Sequence, residues 1–216
     1  MILALNTAQK VHEMALIKEG LILKQESWIA EKNTLDNVVP MLKQMLTDAS
    51  LTQKDLTAVA VVQGPGPFSG LRTGIAFANA FSDALNIPLH SINTFSLLRL
   101  KTGLPEPLLV VLNAGGLDVG VLHGHEVKVG PLSSLLSAFP HGDFHVIFEG
   151  TETQAEELRG ICLEKKWKLI PYEDLQSMAD VIVNSGLEPF SFTKNCEPYY
   201  LKGPHITPSS DPWKKP

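Results

Sequence analysis

The sequence predicts an α/β protein built from two similar halves. Short apolar strands alternate with helices, which is typical of sheets that are covered by helices. Each half opens with an apolar strand that ends at an asparagine, Asn6 in the first half and Asn113 in the second. A hairpin signal follows each of these strands, and the order restarts after Leu104-Pro-Glu-Pro107. We interpret this Pro-rich stretch as the joint between the halves.

The first half begins with three short strands and a helix. The turn between the second and third strands is predicted at Glu19-Gly20. Asn33 can cap the helix, and Pro40 should bend it. The apolar pattern places the strands at 2–7, 11–18 and 21–28 and the helix at about 33–47.

Strands and helices then alternate through the rest of the first half and the second half. The first half continues with strand 56–62, helix 68–85, strand 87–93 and a helix to about 100. The second half contains strands 108–113, 117–123 and 126–129, helix 132–139, strand 144–148 and helix 153–166. This order predicts two RNase H-like subdomains, at 1–103 and 104–190, with an extended tail at 191–216.

Composition excludes several classes of protein. The 216 residues carry a formal net charge of -5, which argues against a broad basic surface for nucleic acid. Cys162 and Cys196 lack CxxC spacing, so buried thiols are expected rather than a zinc site or disulfide. The amino terminus does not resemble a signal peptide, and no apolar run has the length of a membrane span. We therefore expect a cytoplasmic protein.

The glycine-rich stretch QGPGPFSGLRTG precedes the second helix. A phosphate-binding loop needs backbone N–H groups and usually a lysine, but Pro65 and Pro67 have no N–H and Leu71 follows Gly70. The N–H groups of residues 68–70 could still receive one anion. We expect this loop to place a helix rather than to hold a nucleotide.

A stripe of small residues runs along the second helix at Gly70, Gly74 and Ala78. Their spacing of four puts them on one face, which allows close approach of another element. Two interpretations remain open. The stripe packs on the chain's own sheet, or it contacts a helix of a partner chain.

Residues 64–72, Gly-Pro-Gly-Pro-Phe-Ser-Gly-Leu-Arg, resemble the signature Gly-Pro-Gly-Ser-Phe-Thr-Gly-Leu-Arg of the TsaB (YeaZ) family. The matching residues are Gly64, Pro65, Gly66, Phe68, Gly70 and Arg72. The first strand and turn, at 2–8, are similar to that family's opening Ile-Leu-Ala-Ile-Asp-Thr-Ala. Further similarities follow in family order at Val38–Leu42, Glu197–Lys202 and Trp213–Lys215.

The resemblance implies a fold of the actin, sugar-kinase and Hsp70 superfamily and a role without catalysis. Members of the family are inactive relatives of TsaD, with which they pair, and TsaE joins the complex. That complex transfers threonylcarbamoyl to adenosine 37 of tRNAs that read codons beginning with A. The resemblance implies a cytoplasmic scaffold that forms a heterodimer with TsaD or a homodimer and contacts tRNA through the complex.

The resemblance also implies a partner interface on the first two helices. It implies no cofactor for the chain itself, although ATP or ADP could lie at the interface of the complex. Asn6, Thr7 and Ser69 are the candidates for contact with a cofactor. The expected interface residues are Leu35, Val38, Val39, Leu42, Met45, Gly70, Leu71, Gly74 and Ala78.

The chain departs from the family pattern where active relatives handle nucleotides. Asn6 replaces an aspartate, Thr34 replaces a histidine and Asn113 begins a segment that replaces Asp-Ala-Arg. An amide is a weaker magnesium ligand than a carboxylate. His141 and His145 have metal-binding spacing, but a turn followed by a strand would direct their rings to different sides. The alternative function is a divergent ATP-binding phosphotransferase or hydrolase of the same fold.

Overall fold

A computed structural model describes residues 1–29 and 34–203, and the side chains of 34–36 are not part of the description. The predicted cap Asn33, the side chains of Thr34 and Leu35, and the basic segment Trp213–Lys215 therefore lie outside the described residues. Within the described part, no helix is long and apolar enough to cross a membrane.

The first sheet contains six strands in the order β11-β5-β4-β1-β2-β3. β1 pairs antiparallel with β2 and parallel with β4, so the hairpin and the crossover strands meet at β1. Its strands are β1 (Ile2–Asn6), β2 (Val11–Lys18), β3 (Leu21–Ile29), β4 (Ala58–Val62), β5 (Leu89–Ile92) and β11 (Ser191–Thr193).

The second sheet repeats the same order with five strands, β10-β9-β6-β7-β8. β6 pairs antiparallel with β7 and parallel with β9, as β1 does with β2 and β4. Its strands are β6 (Leu108–Gly115), β7 (Asp118–His123), β8 (Glu126–Pro131), β9 (His145–Glu149) and β10 (Lys168–Leu169). The predicted fold class, an α/β protein with two RNase H-like units, is confirmed by this repeated topology. We call the two units the first lobe and the second lobe.

In the described part of the chain, six α-helices cover the sheets: α1 (Thr34–Asp48), α2 (Phe68–Leu85), α3 (Thr94–Thr102), α4 (Leu132–Ser137), α5 (Glu152–Lys165) and α6 (Met178–Ser185). α1 contacts α2, and its buried face packs on Leu3, Leu5, Met14 and Leu16 of β1 and β2. α4 and α5 pack together over the second sheet. α3 lies between the lobes, because Phe95 and Leu98 pack with residues of β6 and β7.

The end of the chain returns to the first lobe. α6 contacts β2 and β3, and β11 pairs antiparallel with β5. The sequence analysis assigned 178–190, which contains α6, to the second half and 191–216, which contains β11, to a surface tail. In the structure both elements belong to the first lobe. The difference has a physical reason: a three-residue strand carries almost no periodic signal, and its partner lies about 100 residues earlier in the chain.

Candidate functional site

The loop before α2 joins three parts of the chain through its carbonyl groups. The Gln63 carbonyl accepts a hydrogen bond from Tyr199 N at 2.7 Å, and the Gly64 carbonyl accepts one from Thr94 N at 2.8 Å. The Pro65 carbonyl accepts a hydrogen bond from Thr94 Oγ1 at 2.7 Å. The loop thus offers acceptors to its own chain, whereas a phosphate loop offers N–H donors.

At two positions of the loop only glycine fits, because neighbouring backbone atoms lie too close for a Cβ atom. A Cβ atom on Gly66 would lie 1.8 Å from the carbonyl oxygen of Ala8, in the turn after β1. A Cβ atom on Gly64 would lie 2.5 Å from the carbonyl oxygen of Tyr199, and the positive φ of Gly64, 101°, also favours glycine. The loop is therefore packed backbone to backbone against both ends of the chain.

The small stripe on α2 faces the chain's own first sheet. A Cβ atom on Gly70 would lie 2.6 Å from the Thr7 carbonyl oxygen and 3.1 Å from Nε2 of the buried His12. Gly74 lies against the Thr7 side chain, and Ala78 is fully buried. The sequence left open whether the stripe packs on the chain's own sheet or contacts a partner helix. The structure shows that it packs on the chain's own sheet.

Most of the expected partner-interface residues are buried inside the first lobe. Val38, Leu42, Met45 and Leu71 lie within its core, whereas Val39 is 50% exposed. The outer face of α2 also carries small side chains, the exposed Ala76, Ala80 and Ala84, at a spacing of four. A partner that approaches these two helices would meet Val39 and this outer alanine face.

A cleft of about 1060 Å³ separates the two lobes. The glycine-rich loop and the hairpin after β6 form opposite walls, and Leu117 at the hairpin tip is 81% exposed. Residues 200–203 cross its mouth. Its other lining residues include Ala8, Lys10, Leu112, Glu149 and Thr151.

A carboxy-terminal strap, which we define as residues 196–203, runs from the first lobe to the second. It begins where Asn79 exchanges two hydrogen bonds with the Cys196 backbone, at 2.8 and 2.9 Å. It ends where Leu201 packs on Gly120 and Lys202 forms an ion pair with Asp118, both of the second lobe. The strap therefore joins the two walls of the cleft.

Two residues of the family motif hold this strap. Arg72 Nε donates a hydrogen bond to the Tyr200 hydroxyl oxygen at 2.8 Å. The Phe68 and Tyr200 rings stack with centroids 4.8 Å apart, and the Arg72 guanidinium carbon lies 5.7 Å from each centroid. A guanidinium at this distance gains a cation–π attraction from each ring.

Asn6, a candidate cofactor contact, is fully buried, and the chain itself uses its amide. Asn6 Nδ2 donates to Gln9 Oε1 at 2.7 Å and to Glu13 Oε2 at 2.9 Å, while its Oδ1 accepts from Ala8 N at 3.2 Å. Glu13 also forms a buried ion pair with Lys101 at 2.5 Å and accepts a hydrogen bond from Met178 N at 3.1 Å.

The network continues across the cleft floor to Glu149, at the end of β9. Gln9 Nε2 donates to Glu149 Oε2 at 2.8 Å, and Lys10 N donates to Glu149 Oε1 at 2.6 Å. Burial raises the pKa of Glu149, and these two hydrogen bonds and Lys101 oppose the rise in part. Glu149 lines the cleft, and both of its oxygens are bonded to the other lobe.

The donor set does not fit a magnesium nucleotide. Asn113 Oδ1 accepts from Gly115 N at 2.9 Å, Thr7 is buried under Gly74, and Ser69 is exposed at the start of α2. Among the described residues, no cluster of three or more His, Cys, Asp or Glu side chains could hold a metal ion. His141 lies in the turn before β9 and His145 begins that strand, as the sequence analysis expected.

Sequence reasoning missed the residues that connect the lobes. Glu13, Lys101 and Glu149 come from three distant elements, and only the fold brings them together. Lys101 carried one possible signal, because it directly follows the predicted short helix, in which Leu97 and Leu98 are apolar. Tyr200 lies in the segment that resembles the family's carboxy-terminal motif, but nothing local indicated its contact with Arg72.

Comparison with known proteins identifies relatives that match about half of the chain. A family model described as TsaD, tRNA N6-adenosine threonylcarbamoyltransferase, matches residues 28–131. The tRNA threonylcarbamoyladenosine biosynthesis protein TsaB of Buchnera aphidicola is 34% identical over 52% of this chain and 55% of its own length. TsaB of Bacillus subtilis is 27% identical over 50% of this chain and 48% of its own. The chain thus spans about half the length of these curated relatives.

Solved structures extend the similarity in fold to most of the chain. The structure of YeaZ from Pseudomonas aeruginosa superposes with a TM-score of 0.70 and 18% identity, covering 93% of this chain and 99% of that one. A second structure, described as similar to peptidase YeaZ from the same organism, gives a TM-score of 0.59 at 16% identity. At these identities the superpositions show a shared fold.

Proposed function

We propose that the chain is a member of the TsaB/YeaZ family and acts in threonylcarbamoyladenosine biosynthesis on tRNA as a non-catalytic scaffold. Its partner in this proposal is the catalytic relative TsaD. The observation that carries the proposal is that groups lining the cleft are bonded to one another. In place of free acids facing a nucleotide, the first lobe, the second lobe and the strap are bonded to one another there.

The absence of catalysis in this proposal is supported by the groups that are already engaged. Phosphoryl transfer needs acids that hold Mg²⁺ and donors that hold phosphate. Asn6 stands at the end of β1 with its amide bonded to Gln9 and Glu13, and the loop carbonyls of residues 63–65 accept hydrogen bonds. The alternative of an ATP-dependent enzyme would require these groups to be released.

We place the TsaD-binding face on the outer side of α1 and α2. Val39 is half exposed there, and Ala76 and Ala80 leave room for a second helix to approach closely. The buried residues Gly70, Gly74 and Ala78 contribute by holding α2 against the sheet. The same face would serve a homodimer, while TsaE and ATP or ADP at the interface of the complex are further parts of the proposal.

The test is co-purification with TsaD of the same organism, using one variant on the proposed face and one elsewhere. Ala80→Arg introduces a long charged side chain on the outer face of α2. Overpacking costs typically about 1–3 kcal/mol, so affinity for TsaD should fall roughly 5- to 150-fold. Leu163→Arg, on the exposed side of α5 in the second lobe, is the matched control and should bind as the unchanged chain does.

Three results would contradict the proposal. If Ala80→Arg binds TsaD with unchanged affinity, the face is wrong. If the purified chain alone hydrolyses ATP at about 1 s⁻¹ or faster, in the ordinary range for enzymes, the non-catalytic role is wrong. A chain that binds TsaD normally but cannot restore threonylcarbamoyladenosine in tRNA of a deficient strain would argue against the scaffold role.

A further inference from the structure

Glu149 is the meeting point of the two lobes at the cleft floor. It ends β9 of the second lobe, and both of its oxygens accept hydrogen bonds from the turn after β1 of the first lobe. The donors are a side-chain amide, Gln9 Nε2, and a backbone amide, Lys10 N, at 2.8 and 2.6 Å. Both oxygens of Glu149 are therefore engaged by donors of the other lobe.

The first-lobe side of this contact is held rigidly. Gln9 is fully buried, and its Oε1 accepts from Asn6, which in turn donates to Glu13. Glu13 is fixed by Lys101 of α3 and by the backbone N–H of Met178 at the start of α6. The donor that reaches Glu149 is therefore oriented by three elements, and it cannot follow the carboxylate if the lobes separate.

Glu149 also has a counterpart in the repeated topology. Its strand, β9, pairs parallel with β6 as β4 pairs with β1. Glu149 at the end of β9 and the glycine-rich loop after β4 therefore lie at the same ends of equivalent strands, and both line the cleft. The strap supplies a second contact between the lobes, at Lys202 and Asp118, but this ion pair lies at the exposed rim. The less exposed contact is the one at Glu149.

We propose that Glu149 is a latch that keeps the interlobe cleft closed without a bound nucleotide. The carboxylate takes the place of a ligand by accepting hydrogen bonds from the first lobe across the cleft floor. Loss of the carboxylate should let the lobes move apart about α3, where the packing of Phe95 and Leu98 would persist. Glu149 acts in this proposal as a positioning residue.

The test measures the distance between lobes in the full chain with paired spin labels. Labels are placed at Lys54→Cys and Glu156→Cys, two exposed positions in different lobes, and the buried Cys162 and Cys196 are replaced by alanine. With Glu149→Ala the population of longer distances should rise about tenfold or more, as the loss of charge-assisted hydrogen bonds implies. Glu149→Gln retains one acceptor and should give an intermediate distribution.

Two further variants keep the test decisive. Glu149→Asp keeps the charge but is too short to reach both donors, so it should also open the cleft even if Glu149→Ala does not fold. Glu152→Ala removes a nearby acid that pairs with Arg159 on the surface, and it should leave the distances unchanged. Unchanged distances in Glu149→Asp, or equal opening in Glu152→Ala, would overturn the proposal. The measurement requires neither TsaD nor tRNA, so its outcome is independent of the proposed function.

Discussion

Gly74 and Thr7 are in such close contact that a Cβ atom on Gly74 would lie 1.9 Å from the Thr7 hydroxyl oxygen. Because Thr7 is buried directly after β1, it cannot move aside without disturbing the sheet. We expect Gly74→Ala to lower the free energy of unfolding by about 1–3 kcal/mol, the usual range for overpacking. Denaturant unfolding of the isolated chain measures this change.

The matched control for Gly74 is Gly160, which also lies inside a helix. A Cβ atom on Gly160 would meet nothing within 4 Å. Gly160→Ala should stabilise the chain by up to about 1 kcal/mol, because alanine has the higher helix propensity. If both substitutions stabilise the chain, α2 does not pack on Thr7 as described.

Replacement of Tyr200 should loosen the strap in two steps. Tyr200→Phe removes only the acceptor of the Arg72 hydrogen bond, so it should cost about 0.5–1.5 kcal/mol at most. Tyr200→Ala also removes the ring that stacks on Phe68 and should cost more. Hydrogen exchange of the Tyr199 amide, which donates to Gln63, reports the opening of the strap. Equal exchange rates in both variants and the unchanged chain would contradict the contact.

Removal of Lys101 should be severely destabilising, because it leaves the Glu13 carboxylate buried without its cation. The Lys101 side chain is 2% exposed, and breaking a buried ion pair from one side costs about 3–5 kcal/mol. We expect Lys101→Met to lose that amount in thermal or denaturant unfolding, and Glu13→Gln in the same chain to restore part of it. Lys128→Met, which breaks an exposed pair with Glu126, should cost no more than about 1 kcal/mol.

The stability of the chain should depend on pH through Glu149. Its pKa in the folded state is raised from the ordinary 4.5 by burial, so the folded state binds this proton more tightly than the unfolded state does. The contribution of Glu149 is therefore complete below pH 4.5 and declines as pH rises through the raised pKa. The free energy of unfolding of the unchanged chain, relative to Glu149→Gln, should fall over that interval. A rise would mean that the hydrogen bonds outweigh burial.

The sequence allowed prediction of the elements whose signals are local. The bounds of α2 were predicted as 68–85 because prolines precede the helix and its apolar spacing is regular, and the structure has Phe68–Leu85. α6 and β11 were missed: a three-residue strand is too short for a clear period, and the eight residues of α6 were left unassigned. At α6 and β11 the sequence analysis assigned no element, so these differences are omissions and not wrong assignments.

The site was harder to predict than the fold because its contacts are long-range. The stripe of Gly70, Gly74 and Ala78 was recognised, but spacing alone cannot tell whether a face meets its own sheet or another chain. The pairing of Gln9 with Glu149 joins residues 140 positions apart, and that of Arg72 with Tyr200 joins residues 128 apart. Such pairs follow from the fold and carry no sequence periodicity.

The pairing of β11 with β5 has a consequence for the order in which the molecule is made. Synthesis proceeds from the amino terminus, so β5 is available about 100 residues before β11 can reach it. During that interval the first sheet has an unpaired edge at β5, and free strand edges can pair with other chains. The first lobe reaches its final form only after the second lobe has been synthesised, which makes the nascent chain dependent on protection of this edge.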